Sequence, residues 1–97
     1  MSLKSKGLTI RSDGFAQVYG YTFLFDNVEL FDTGGLWEGG DNSEWKALEP
    51  QLKLKMSELD TSMLMKIKFL LEEPKKLCWS WKWYYQVLSE YLEELGP

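Results

Sequence analysis

A chain of 97 residues with a net charge of −4, 44% hydrophobic and 15% aromatic residues has the composition of one folded domain spanning residues 1–97, not of a disordered segment. It holds no histidine and one cysteine, which removes Ser-His-Asp and Cys-His catalysis, histidine-ligated metals and any internal disulfide. No apolar run approaches the ~18 residues of a membrane span; no secretory leader is expected, and the lone thiol of Cys78 fits a reducing compartment, the cytoplasm by default.

Leu8–Arg11 alternates and meets Asp13-Gly14, a dipeptide suited to a hairpin turn because both positions tolerate positive φ. Phe15 to Phe25 is rich in aromatic and β-branched residues. Its odd positions Phe15, Tyr19, Tyr21, Phe23 and Phe25 share one strand face, and Gly20 between them suggests a bulge or a close backbone approach. Asp26-Asn27 reads as a turn and Val28–Phe31 as a third strand, completing an N-terminal meander.

Periodicity then fails over residues 32–44, which contain four glycines; a loop of this length in a small domain is usually functional or disordered. Ser43 can cap a short helical turn over Glu44–Leu48, stopped at Pro50. Gln51–Ser57 alternates apolar with polar, and Met65–Phe69 repeats the pattern, so a hairpin with a lysine-studded outer face is the preferred reading. The rival is a helix capped by Asp60, with Met63, Leu64, Ile67, Leu70 and Leu71 on one stripe. From Pro74 onward a helix is expected, with Leu77, Trp81, Tyr84, Tyr85, Leu88, Tyr91, Leu92 and Leu95 along one face. Trp81 is then buried, Trp79 and Trp83 point outward, and Cys78 is a buried filler; if 77–83 is instead a strand, Leu77, Trp79, Trp81 and Trp83 all point one way into the core. These elements amount to an α+β fold: an antiparallel sheet of about five strands, with the N-terminal meander, packed by one long C-terminal amphipathic helix.

Charge is unevenly placed. Residues 26–49 hold seven carboxylates against Lys46 alone, whereas residues 50–88 hold seven lysines against four carboxylates. Arg11 is the only arginine, and arginine is the usual fork for phosphates and guanine edges, so direct nucleic-acid binding is not expected.

Asp32-Thr33-Gly34 resembles the signature of aspartic proteases, and the chain length resembles a retroviral-type protease subunit, whose dimer shares a proton between two aspartates. The resemblance ends at the tripeptide: no later apolar-Ile-Gly-Arg-like turn supports it, and the C-terminal third is helical in pattern. The tripeptide is therefore read as a glycine turn and the chain as no enzyme. Asp32, Glu38, Asp41 and Glu44 lack the fixed spacing of a calcium loop, so neither metal nor cofactor is expected.

What remains is a surface. Trp37 and Trp45 flank Glu38, Asp41 and Glu44, an aromatic and acidic combination suited to anchoring a basic protein, although both tryptophans can equally fold back to cap the core. The expected function is a non-enzymatic protein-binding protein: an acidic inhibitor, immunity factor or adaptor. Its basic partner would be a nuclease or nucleic-acid-binding protein. The alternative is an assembly subunit that forms a homo-oligomer through exposed Trp79 and Trp83.

Overall fold

Two consecutive residues with positive φ, Asp26 at 50° and Asn27 at 67°, reverse the chain between two strands and fix the register of the sheet. This is the dihedral pattern of a type I′ hairpin turn, whose twist matches the strands it joins. The computed structural model describes residues 4–15, 18–34, 36–37 and 42–96, with side chains at 13–15, 18–19, 36–37 and 42–44 left aside. Strand β1 (Leu8–Phe15) pairs antiparallel with β2 (Val18–Phe25), which pairs antiparallel with β3 (Val28–Asp32). A two-residue β4 (Leu36–Trp37) joins the far end of β2. Helices α1 (Asn42–Ser57), α2 (Thr61–Glu72) and α3 (Trp79–Glu94) follow.

The meander is therefore present, without the expected turn at Asp13-Gly14. These two residues lie within β1 opposite Gly20 and Tyr19, and the pairing continues as far as Phe15 with Val18. Continuing the ladder gains cross-strand pairs that a turn at Asp13-Gly14 would forfeit. Gly20 is in regular register, and the irregularity falls instead between Phe23 and Leu24 against β3. There Leu24 faces Glu29 while Phe23 faces Phe31, so Leu30 is the extra residue of a bulge. Strict alternation would turn Leu30 or Phe31 to solvent; with the bulge both are buried.

Gly7, with φ +93°, marks the entry to β1. Its carbonyl accepts the Asp26 N–H at 2.9 Å, and a Cβ here would collide with the Asp26 carboxylate.

The expected hairpin over residues 51–69 does not form. Both of its arms are helical, so among the described residues the sheet has four strands instead of five and three helices cover it instead of one. The physical reason lies in what is anchored. In α1, Trp45, Leu52 and Met56 are buried, with Leu48 packed at the core's margin; these positions are separated by three, four and seven residues and form one helical stripe. Leu54, which alternation would have placed beside Leu52, is 68% exposed.

The same anchors carry the helix through Pro50, where it had been expected to stop. An interior proline costs about 3 kcal/mol, but burying three large side chains returns about 1.5–3 kcal/mol each. Helix α2 follows the rival reading: the Asp60 carboxylate caps it by accepting the Ser62 N–H at 3.2 Å, and Leu64, Ile67 and Leu71 are buried.

Helix α3 starts at Trp79, later than Pro74, and Cys78 at its N-cap is exposed rather than buried. Its buried positions, Trp81, Trp83, Tyr84, Val87 and Leu88, cover a wider arc than the expected stripe. α3 touches α1 on one side and α2 on another, with the sheet between, so both flanks of the stripe are enclosed. The core closes around Phe23: its ring lies 5.1 Å from Trp81, edge-on, 5.3 Å from Tyr84 and 6.0 Å from Trp83. No helix among the described residues is long and apolar enough to cross a membrane.

Candidate functional site

Helix α1 sits between β3 and α3, and a groove opens along each of its flanks. The position of Trp45 decides how the two are built. Its ring is buried and packs at 5.8 Å from Tyr21, 4.7 Å from Trp83 and 4.3 Å from Trp79. Trp45 thus takes the capping role, and the expected outward Trp37/Trp45 pair is not displayed from this end. Trp37 belongs to β4, paired with Val18. Glu38 and Asp41 lie outside the described residues, and Glu44 stands in the first turn of α1.

Trp79 and Trp83 also part company. Trp79 is 53% exposed as expected, whereas Trp83 is 8% exposed and packs on Phe31, Phe23 and Trp45. The outward tryptophan pair is reduced to Trp79, because the flank of α3 carrying Trp83 faces α1 and the sheet.

The first groove, of about 320 Å³, runs between β3 and the C-terminal half of α1. Glu29, Phe31 and Asp32 line it from the strand, and Gln51, Leu54, Lys55 and Glu58 from the helix and the turn after it. Three carboxylates face one ammonium, and the exposed leucine supplies an apolar centre. Glu29 and Asp32 point outward because β3 buries the two residues between them.

Asp32 is fixed by its own turn. Its carboxylate accepts the Gly34 N–H at 3.0 Å, and Gly34 takes φ +72°. Thr33 next to it is buried, and its hydroxyl accepts the Tyr21 N–H at 3.0 Å and donates to the Gly34 carbonyl at 3.1 Å. The Thr33 N–H in turn donates to the Tyr21 carbonyl at 2.9 Å. Each residue of the Asp-Thr-Gly tripeptide thus has a structural duty in ending β3, as expected of a glycine turn.

The second groove, of about 310 Å³, lies between α1 and α3, with Trp45, Trp79 and Trp83 as its aromatic wall and Lys46, Glu49, Lys82 and Gln86 around it. A neighbouring recess of about 610 Å³ shares Lys82 and Gln86 and adds Lys75 and Lys76. Tyr85 borders that recess and donates its hydroxyl to Glu72 at 2.8 Å, a hydrogen bond that holds the phenol above its ordinary pKa.

Sequence reasoning missed the first groove because its acids come from two distant stretches. Glu29 and Asp32 belong to the acidic run, while Glu58 was counted among the lysines; only the packing of α1 beside β3 joins them. Among the described residues no three His, Cys, Asp or Glu side chains are grouped to hold a metal ion. No protein-family model, curated protein or solved structure matches this chain.

Proposed function

We propose that this chain is a non-enzymatic protein-binding protein, an inhibitor, immunity factor or adaptor that engages a basic protein such as a nuclease or nucleic-acid-binding protein. The groove between β3 and α1 supports the reading: Glu29, Asp32 and Glu58 surround Leu54, a solvent-exposed leucine within a negative rim. An apolar centre gives affinity on desolvation, and the rim steers a positive partner and rejects a negative one. The free, exposed thiol of Cys78 suits a reducing compartment such as the cytoplasm.

The test is capture from the native cell on immobilised wild type and on a Glu29→Lys/Glu58→Lys double variant, followed by association kinetics with the captured protein. The wild type should bind a basic protein at a rate that falls with salt, and the variant should associate at least about tenfold more slowly. Binding that is indifferent to both salt and charge reversal defeats the reading.

Self-association is the second reading. In place of the expected tryptophan pair, it is favoured by Met65 and Phe69, which are 60% and 62% exposed one turn apart on α2. Sedimentation across a concentration series separates the two, since a monomer at all concentrations removes the assembly role.

A further inference from the structure

A residue that lines the groove between α1 and α3 carries an unmet hydrogen-bond donor. The Trp83 side chain is more than nine-tenths buried, and its Nε1–H has no hydrogen-bond partner. A buried indole N–H usually finds an acceptor, because water is no longer there to supply one. Trp83 is also one wall of the groove, beside Trp45 and Trp79.

The electrostatic setting favours an anion. Lys46 and Lys82 border the groove and make no ion pair among the described residues. Lys75 and Lys76 follow in the adjoining recess. Among the described residues Glu49 is the one carboxylate that lines the groove itself; Glu72 in the recess is already engaged by Tyr85 and, at 3.9 Å, by Lys68.

We propose that this groove binds a flat aromatic ring carrying a carboxylate. The ring lies against Trp79 and Trp45, whose own edge-to-face pairing at 4.3 Å shows the wall to be suited to aromatic packing. A carboxylate oxygen accepts from Trp83 Nε1–H, and Lys46 and Lys82 supply the positive field that selects an anion over a neutral ring. Trp83 Nε1 is itself shielded from solvent, so admitting the carboxylate requires the half-exposed Trp79 ring to shift while it stays in contact with the ligand. This site lies on the opposite flank of α1 from the acidic groove, so it stands or falls independently of the protein-binding reading.

The experiment is a titration of the full ¹⁵N-labelled chain with benzoate, with benzyl alcohol and acetate as controls. The Trp83 indole resonance is identified by its loss in Trp83→Phe. Benzoate should move that resonance saturably. Benzyl alcohol should bind about tenfold more weakly, the loss expected when a charge-assisted hydrogen bond goes, and acetate should leave the resonance unmoved. Lys82→Ala, an exposed position, should weaken benzoate severalfold and leave benzyl alcohol unchanged; Trp79→Ala should weaken both. A Trp83 resonance unmoved by benzoate at about 10 mM, a concentration that fills even a millimolar site, overturns the proposal. So does equal binding of benzoate and benzyl alcohol.

Discussion

The sheet and the helical layer are held together by different means. In the sheet, the chain is directed at single residues: Asp26 and Asn27 in the left-handed region, Gly7 beneath Asp26, and the Thr33 side chain hydrogen-bonded to Tyr21. In the helical layer, position is set by buried apolar anchors spread over several turns, and the polar links stay at the periphery. Lys53 reaches Glu94 at 3.0 Å and Glu90 at 3.6 Å on an exposed surface, and the Lys6–Glu73 pair ties the N-terminal turn to the end of α2. Exposed pairs of this kind are worth little, about 0–1 kcal/mol. A sheet fixed by local geometry and helices fixed by burial should respond to different mutations.

The largest expected effect tests the helical half. Leu52→Ala should cost about 2–5 kcal/mol, the range for emptying a fully buried leucine site, because Leu52 is wholly enclosed. Leu54→Ala should change stability by no more than about 0.5 kcal/mol. Urea unfolding of the two variants decides the point: equal losses would mean that residues 51–57 pack as a strand, with both leucines on one face, and the comparison would collapse.

The next effect belongs to the sheet. Thr33→Val keeps the branched shape but removes the acceptor for the Tyr21 N–H and the donor to Gly34. A partly buried N–H left unpaired costs about 1–3 kcal/mol. Denaturant unfolding should show that loss; a neutral Thr33→Val would mean that the ladder alone, without side-chain direction, ends β3.

These two regions also differ in how far they can be read from residues. The meander was legible because its signals are local: Asp26-Asn27 is turn chemistry in two residues, and Phe23 and Phe25 need only the pleat to reach the same face. The bulge at Leu30 was not, since nothing in Val28-Glu29-Leu30-Phe31 announces which residue is extra. Residues 51–69 were misread because short apolar runs satisfy both periods. Leu52, Leu54 and Met56 alternate perfectly, and only Trp45 and Leu48, on the far side of Pro50, reveal the helical stripe. For the candidate site the difficulty was of another kind. Trp37, Glu38, Asp41, Glu44 and Trp45 are neighbours along the chain, but Trp45 is drawn into the core, while Glu58 reaches Glu29 and Asp32 only through packing. Trp83 was placed outward by a helix wheel that assumed one covered face; α3 is covered on three sides.

A smaller effect sharpens the boundary between the two regimes, because α2 begins with a local device, a side-chain cap. Asp60→Ala removes the acceptor for the Ser62 N–H at the first turn and should cost about 1 kcal/mol. Asp60→Asn, which can still cap, should recover most of it. Unfolding midpoints for the three proteins check the order. If alanine and asparagine behave alike, α2 is held by Leu64, Ile67 and Leu71 alone, and the rule that helices here are fixed by burial becomes stricter.

The smallest effect has the opposite sign. Tyr84 is fully buried beside Phe23 and Trp81, and its hydroxyl has no hydrogen-bond partner. Burial alone pushes its pKa well above the ordinary phenol range, so the group stays neutral and contributes no pH dependence at physiological pH. What it does contribute is a desolvated O–H with nothing to replace the water it lost, a penalty set against the packing of the ring. Tyr84→Phe keeps the ring and deletes the penalty. Stability should rise by up to about 1 kcal/mol, at the low end of what an unpaired buried polar group costs. The helical layer would then be shown to gain from becoming more apolar, as a region fixed by burial must. A loss on Tyr84→Phe would mean that the hydroxyl has a partner in solution, an ordered water being the simplest, and that α3 too relies on a directed polar contact. Thermal unfolding of the two proteins, read with their spectra in the near ultraviolet to confirm unchanged packing, distinguishes the outcomes.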